Sequence, residues 1–252
     1  MLWGCVGALL ALALIQNIKT RVSTNVFCAG ASLYLLVELV SILGPVPAVG
    51  AVVLDPPFRG RWYVASGGPS VLINHHRSSA QTRHGVDFLK LAAPGRTGTD
   101  PARIESYAAF GEMLYAPAGG RVVTVVDDRP DVQVGESDWD QILGNHVVID
   151  VGQGKYVLMA HLMRGSVIVQ PGEDVQSGQA IARCGNSGFT GEPHLHLQVQ
   201  SDGDFWAPGL RTYPLRLRGA VRERRGRHER LESADLRRND VLIVGAEGLD
   251  GR

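Results

Sequence analysis

The sequence has no excess of charge of either sign, and it is poor in cysteine and in aromatic residues. Its 252 residues include 25 Lys plus Arg against 25 Asp plus Glu, three Cys and 6% aromatic residues. A neutral chain gives no support to non-specific nucleic-acid binding, which needs a clustered positive surface. Cys5 and Cys28 fall in apolar runs and Cys184 stands alone, which excludes an intradomain disulfide and a CxxC redox site.

The apolar residues are concentrated near the N-terminus. Two runs, 1–18 and 26–43, carry a single charged residue, Glu38. As a helix each run would span about 27 Å at roughly 1.5 Å per residue, enough to cross a hydrocarbon core. Lys19 and Arg21 lie between the runs and are expected on the cytoplasmic side. The sequence therefore predicts a membrane anchor of two transmembrane helices over 1–45, a lipid bilayer as partner, and an extracytoplasmic remainder at the cell membrane.

A secretory signal is the alternative interpretation of this region. Lys19 and Arg21 would form its charged part, and cleavage would fall near 48–51. The second apolar run is long for such a signal, and the first run would then have no explanation. Burial of both runs in a protein core is disfavoured because neither has a polar face.

From Asp55 onward the pattern changes to short runs rich in β-branched residues, separated by Gly, Pro and Asp. These predicted strands cover 121–128, 146–151, 155–162, 166–169, 180–184 and 194–200. The GQG sequence at 152–154 predicts a hairpin turn. No 3.6-residue periodicity is present between 55 and 217, so we predict an all-β domain over 61–217, with a linker over 46–60.

The segment 218–252 follows this domain and is rich in arginine interleaved with acidic residues. We expect a solvated loop or short helix over 218–238 and a terminal strand over 240–244. A patch that binds anionic lipid or a wall polymer is the alternative.

Seven of the eight histidines lie between positions 75 and 196. His194 and His196 are two residues apart on a predicted strand, so both point to the same face. Neutral imidazole is the commonest metal ligand and titrates near neutral pH. A solvated face that carries two histidines by chance is the alternative, but His161 at the end of another strand and Asp87 after a further histidine cluster favour a metal or acid/base site.

The chain resembles a known family in the order and spacing of several motifs. They are GVDF at 85–88, YAPAGGRVV at 115–123, GNHVVID at 144–150, MAHL at 159–162, VQPGEDVQSGQAIARCGNSG at 169–188 and PHLHLQV at 193–199. The family is that of the M23 or LytM type zinc metallopeptidases, also called lysostaphin-like endopeptidases, and the resemblance covers roughly 62–215. It implies antiparallel sheets of the LytM type and one Zn²⁺ ion, with Asp87 and His196 as ligands and His161 and His194 as catalytic residues.

The remaining zinc ligand is where the chain departs from the family pattern. The common motif places a histidine four residues before the aspartate, and Arg83 occupies that position. Arginine cannot be deprotonated in a protein and so cannot bind zinc. The sequence around Asn74 resembles a family subgroup in which His76 is the ligand, and we take His76 as the candidate, with His84 and His75 as alternatives.

Two imidazoles and one carboxylate leave zinc an open position, which is typical of a catalytic site. The resemblance and the outward topology imply an endopeptidase that cleaves the peptide cross-links of bacterial peptidoglycan, with loops 92–105 and 128–143 as walls of its groove. A non-catalytic module that binds or activates another wall hydrolase is the alternative. A lipoyl-like carrier would need a lysine at a hairpin tip, and no lysine follows Lys155.

Overall fold

The computed structural model describes residues 24–44, 49–92 and 97–245. The second apolar run forms one helix, α1 (Thr24–Leu43), which is long and apolar enough to cross a membrane by length and composition. The first run, 1–18, lies outside the described residues. Among the residues that are described there is thus one candidate membrane helix, rather than the two expected from the sequence, and the other stays a prediction.

The residues from Val49 onward form a separate unit built of β-strands. The strands are β1 (Val52–Leu54), β2 (Gly60–Ser66), β3 (Val86–Lys90), β4 (Met113–Tyr115), β5 (Gly120–Val126), β6 (Asn145–Asp150), β7 (Tyr156–Leu162), β8 (Asp174–Val175), β9 (Ala180–Arg183), β10 (Leu195–Gln200), β11 (Thr212–Tyr213), β12 (Leu215–Leu217), β13 (Val221–Arg224), β14 (Arg227–Arg230) and β15 (Val241–Val244). Two short 3₁₀ helices cover His75–Ser78 and Ile104–Ser106.

One large sheet dominates this unit, with the strand order β14-β13-β15-β2-β3-β10-β7-β6-β5-β8 and with β11 paired to β10. All of its pairs are antiparallel. Two smaller sheets join β4 to β9 in antiparallel fashion and β1 to β12 in parallel. The prediction of an all-β domain with antiparallel sheets is confirmed.

Two local predictions are wrong. Residues 166–169 are not a strand, although Val169 is buried and Ile168 donates one backbone hydrogen bond to Ile181. Within 218–238, residues 221–230 are neither a loop nor a helix, because β13 and β14 form a hairpin with Arg225 and Gly226 at positive φ in its turn. Residues 231–238 are irregular, as expected for a loop. The predicted terminal strand is present as β15, which joins this hairpin to β2.

Strand β10 lies in the middle of the large sheet, between β3 and β7. Its Leu195, Leu197 and Val199 are fully buried in the main apolar core. Successive side chains of a strand point to opposite faces, so His196, Gln198 and Gln200 lie on the other face of β10. This central position brings residues distant in sequence to one place on the sheet.

Candidate metal centre

Asp87 and His196 face each other on paired strands. The register of β3 and β10 places them directly opposite, and Asp87 Oδ1 lies 2.9 Å from His196 Nδ1. Both side chains are buried, with 7% and 5% of their surface exposed. Gly85 permits this approach, since a Cβ at that position would lie 2.6 Å from Cε1 of the His196 ring.

His76 reaches the same carboxylate from the 3₁₀ helix His75–Ser78. The buried Asn74 side chain caps this helix by accepting a hydrogen bond from the His76 backbone N–H. Its amide group donates to the backbone carbonyls of Gly68 and Gly85, which ties the helix to the start of β3. His76 Nε2 then lies 2.9 Å from Asp87 Oδ2, so a residue eleven positions upstream joins the centre.

His161 enters the site through an irregularity in β7. The pairing of β6 and β7 shifts register between Asn145 and His146, and His161 adopts a positive φ of 61° at the corresponding point of β7. Bulges of this kind redirect a side chain. Its Nδ1–H donates to the backbone carbonyl of Ser187 at 2.9 Å, and burial lowers its pKa well below the usual value.

His194 lies just before β10 and completes the cluster. Its ring centroid is 4.6 Å from that of His161, and its Nε2 is 3.8 Å from Asp87 Oδ1. Its Nδ1 donates to the backbone carbonyl of Glu192 at 2.8 Å. The structure therefore brings together all five residues that the sequence singled out, although the roles assigned to them stay predictions.

Two buried glutamines determine the tautomer of His196. The Gln198 amide group donates to the backbone carbonyl of Gln81 and to Gln200, so its oxygen must be the atom 3.1 Å from His196 Nε2. The Gln200 amide in turn donates to the backbone carbonyl of Asp202, which fixes its orientation. A neutral His196 ring in this setting carries its proton on Nε2 and presents the lone pair of Nδ1 to Asp87.

The other imidazoles are oriented in the same way. His161 and His194 donate from Nδ1 to backbone carbonyls, which leaves a lone pair on each Nε2. His75 Nδ1 bonds Ser66 Oγ, whose proton goes to Asn74, so the lone pair of His75 lies on Nε2, 3.7 Å from Asp87 Oδ2. Lone pairs of several rings therefore surround one carboxylate.

Such a donor set fits a divalent cation. A carboxylate oxygen and an imidazole lone pair that face each other at 2.9 Å repel unless positive charge lies between them. Burial would raise the pKa of Asp87, but the histidines, His76 foremost, hold that pKa well below its usual range. Burial also lowers the pKa of His76 to about 4, so this ring is neutral at neutral pH. Neutral imidazole and carboxylate are the ligands that Zn²⁺ takes.

The alternative first ligands are placed differently. Ligand atoms of His75, His76 and Asp87 lie within 4.8 Å of one another, but the His75 side chain is 71% exposed. His84 instead donates from Nδ1 to the backbone carbonyl of Thr212 on β11. It lines a separate cavity that contains none of the clustered histidines. The geometry therefore favours His76 over His84.

This difference gives a direct test of the first ligand. We expect His76→Ala to lower zinc affinity by at least about a hundredfold, since loss of an outer partner alone costs 10–100-fold. His84→Ala should retain the affinity of the wild type because its ring bonds Thr212. Chelator competition on both variants measures the difference, and equal affinities would rule out His76.

The cluster lies in a cleft of about 490 Å³ with aromatic walls. The rings of Trp139 and Phe189 pack at a tilt of 48° with their centroids 4.2 Å apart, and Trp206 packs edge-on against the buried Phe205. Trp139 belongs to the loop 128–143, so this predicted wall does line the cleft. The other predicted wall, 92–105, is described in part, and none of its described residues lines this cleft, although Thr97 donates a hydrogen bond to Glu192 nearby.

Gln198, Gln200 and Glu192 are not among the site residues predicted from the sequence. The two glutamines continue the period-2 face of His194 and His196, a pattern that indicates a solvated polar face. In the structure both are fully buried. A polar face on a strand at the centre of a sheet would have indicated buried polar groups. The strand order that places β10 at the centre cannot be read from the sequence.

Comparison with known proteins supports the resemblance to a peptidase family. Residues 103–208 match the sequence model of peptidase family M23. This segment contains His161, His194 and His196, whereas His76 and Asp87 precede it. The match confirms the resemblance to the M23 metallopeptidases, which are zinc-dependent enzymes.

Several solved structures are similar to the chain. A zinc-containing peptidase from Vibrio cholerae is 23% identical over 57% of this chain and 35% of its own, with a TM-score of 0.38. The catalytic domain of the antimicrobial peptidase lysostaphin from Staphylococcus simulans is 21% identical over 49% and 71%, with a TM-score of 0.32. The deep-sea M23 metalloprotease pseudoalterin is 14% identical over 73% and 98%, with a TM-score of 0.42. This chain thus spans about a third of the Vibrio peptidase.

Proposed function

We propose that the protein is a zinc-dependent endopeptidase that cleaves the peptide cross-links of bacterial peptidoglycan. The observation that carries the proposal is the convergence of the His76 and His196 rings on Asp87 in a cleft that His161 and His194 also line. His76, Asp87 and His196 would hold the metal. A non-catalytic wall-binding module would not need His161 and His194 beside this set, so we favour the enzyme.

The chain's own residues supply the acid and base of the reaction. Zinc in this centre would polarise the scissile carbonyl and make a water molecule more acidic. In their neutral forms His161 and His194 carry the proton on Nδ1, so the Nε2 of either ring can accept a proton from the attacking water. Once protonated, that ring can donate its proton to the leaving amine. The second ring, in its protonated form, can donate a hydrogen bond to the developing oxyanion.

We also propose that α1 anchors the protein in the membrane with the β unit outside the cell. The helix has 20 residues, about 30 Å at roughly 1.5 Å per residue, and its apolar side chains, such as Leu35, are exposed. Lys19 and Arg21 precede it and would stay cytoplasmic.

Metal content and wall digestion together test the enzymatic proposal. We expect the full chain, purified in detergent, to contain about one zinc ion and to release soluble muropeptides from isolated cell-wall sacculi. A chelator should stop the release, and added zinc should restore it. Zinc-loaded protein that releases nothing from any wall type would favour the non-catalytic module instead, and release that survives complete zinc removal would exclude the metal mechanism.

A further inference from the structure

The candidate groove extends to both sides of the metal centre. The aromatic half is the cleft of about 490 Å³ already described, lined by Trp139, Phe189 and Trp206. A second cavity of about 440 Å³, here called the acidic half, is lined by Tyr107 and Glu192 among others. Asp87 and His194 line both cavities, so the two halves meet at the centre. A substrate bound across the centre would therefore contact two chemically different surfaces.

The two halves differ in charge. Apart from Asp87 and the histidines, the residues that line the aromatic half are uncharged. The acidic half has one further ionisable carboxylate, Glu192, and none of the residues that line it is Lys or Arg. Apart from Asp87 itself, the groove thus offers a negative charge to a ligand only in the acidic half.

Glu192 is held close to the reacting groups. Its backbone carbonyl accepts the hydrogen bond from His194 Nδ1, so its side chain begins two residues from a proposed catalytic ring. Its carboxylate accepts a hydrogen bond from Thr97 Oγ1 at 3.1 Å. Within the described ranges 24–44, 49–92 and 97–245 it forms no ion pair with a basic side chain.

We propose that Glu192 binds a primary ammonium group of the peptide substrate in the acidic half of the groove. This inference rests on the proposed function and specifies its substrate as a peptide with a free amine on that side of the scissile bond. A charge-assisted hydrogen bond from an ammonium group to a partly buried carboxylate is about twice as strong as a neutral one. The aromatic half, which lacks such a charge, would take the uncharged part of the substrate.

Ligand binding to the metal-free protein tests Glu192 without any need for activity. The probes are Nα-acetyl-lysine methylamide and its Nε-acetylated analogue, titrated into the full chain in detergent while backbone NMR signals are followed. We expect the free amine to shift the signals of Thr97, Tyr107 and Glu192, and the acetylated analogue to leave them in place. In Glu192→Gln both probes should have no effect. Equal shifts from both probes, or shifts that persist in Glu192→Gln, would overturn the inference.

Wall digestion provides the second measurement. Wild-type protein is expected to release muropeptides from native sacculi about tenfold faster than from sacculi whose free amines have been acetylated. Glu192→Gln should digest both at the slower rate and keep its zinc. Trp139→Ala serves as the matched control, because it should slow both digestions and preserve their ratio. If the wild type digests both substrates equally fast, the peptidase function stands and the ammonium site is excluded.

Discussion

Asp87→Ala is expected to lose the metal and, with it, peptide hydrolysis. Asp87 is the carboxylate on which the rings of His76 and His196 converge at 2.9 Å, one on each oxygen. Without it the proposed centre keeps two neutral imidazoles and no negative charge to balance Zn²⁺. We expect zinc occupancy below about a tenth of that of the wild type and a loss of activity beyond about a hundredfold, since outer-shell changes alone cost 10–100-fold.

Two further variants separate ligand loss from general damage. Asp87→Asn keeps the shape of the side chain but removes its charge, and it should also lose zinc. Asp174→Ala removes an exposed carboxylate that lies 3.7 Å from Arg121, and it should keep both zinc and activity. Metal analysis of the three purified variants is sufficient. Wild-type zinc content in Asp87→Ala would refute the assignment of this ligand.

The sequence predicted the members of the centre better than the way they are held. The motif order identified Asp87, His161, His194 and His196, and the structure places all four together. His76 could be named only with alternatives, because its approach depends on a 3₁₀ turn whose cap, Asn74, bonds backbone groups far along the chain. Contacts of this kind depend on tertiary packing, which local patterns do not encode.

The same limit explains the two wrong predictions in the fold. The run 166–169 has strand-like composition but makes one backbone bond to Ile181 instead of a ladder. The arginine-rich composition of 218–238 predicts a solvated loop or short helix, yet several of the arginines are paired with acidic residues: Arg224 pairs with the fully buried Asp240, and Arg222 with Glu229. The charge pattern alone does not indicate that Arg222 and Glu229 pair across a hairpin or that Arg224 pairs with Asp240.

The second large effect is expected from His161, whose replacement should stop turnover without loss of zinc. Its ring is buried and held by the Ser187 carbonyl, and it lies 4.6 Å from the His194 ring and 6.1 Å from that of His196. It contributes an unprotonated Nε2 and is not one of the proposed ligands. General acid or base groups contribute about 10²–10⁴-fold to a rate, so we expect a loss of that order in kcat from His161→Ala.

The positive φ of His161 requires a matched control, because alanine tolerates this backbone conformation poorly. Asparagine adopts it more readily, so His161→Asn preserves the bulge while removing the imidazole. Both variants should bind zinc as the wild type does, and both should be inactive, while His161→Asn should have the higher melting temperature. Activity near that of the wild type in His161→Asn would exclude an acid/base role. Loss of zinc in His161→Asn, with a melting temperature near that of the wild type, would instead make this residue part of the metal site.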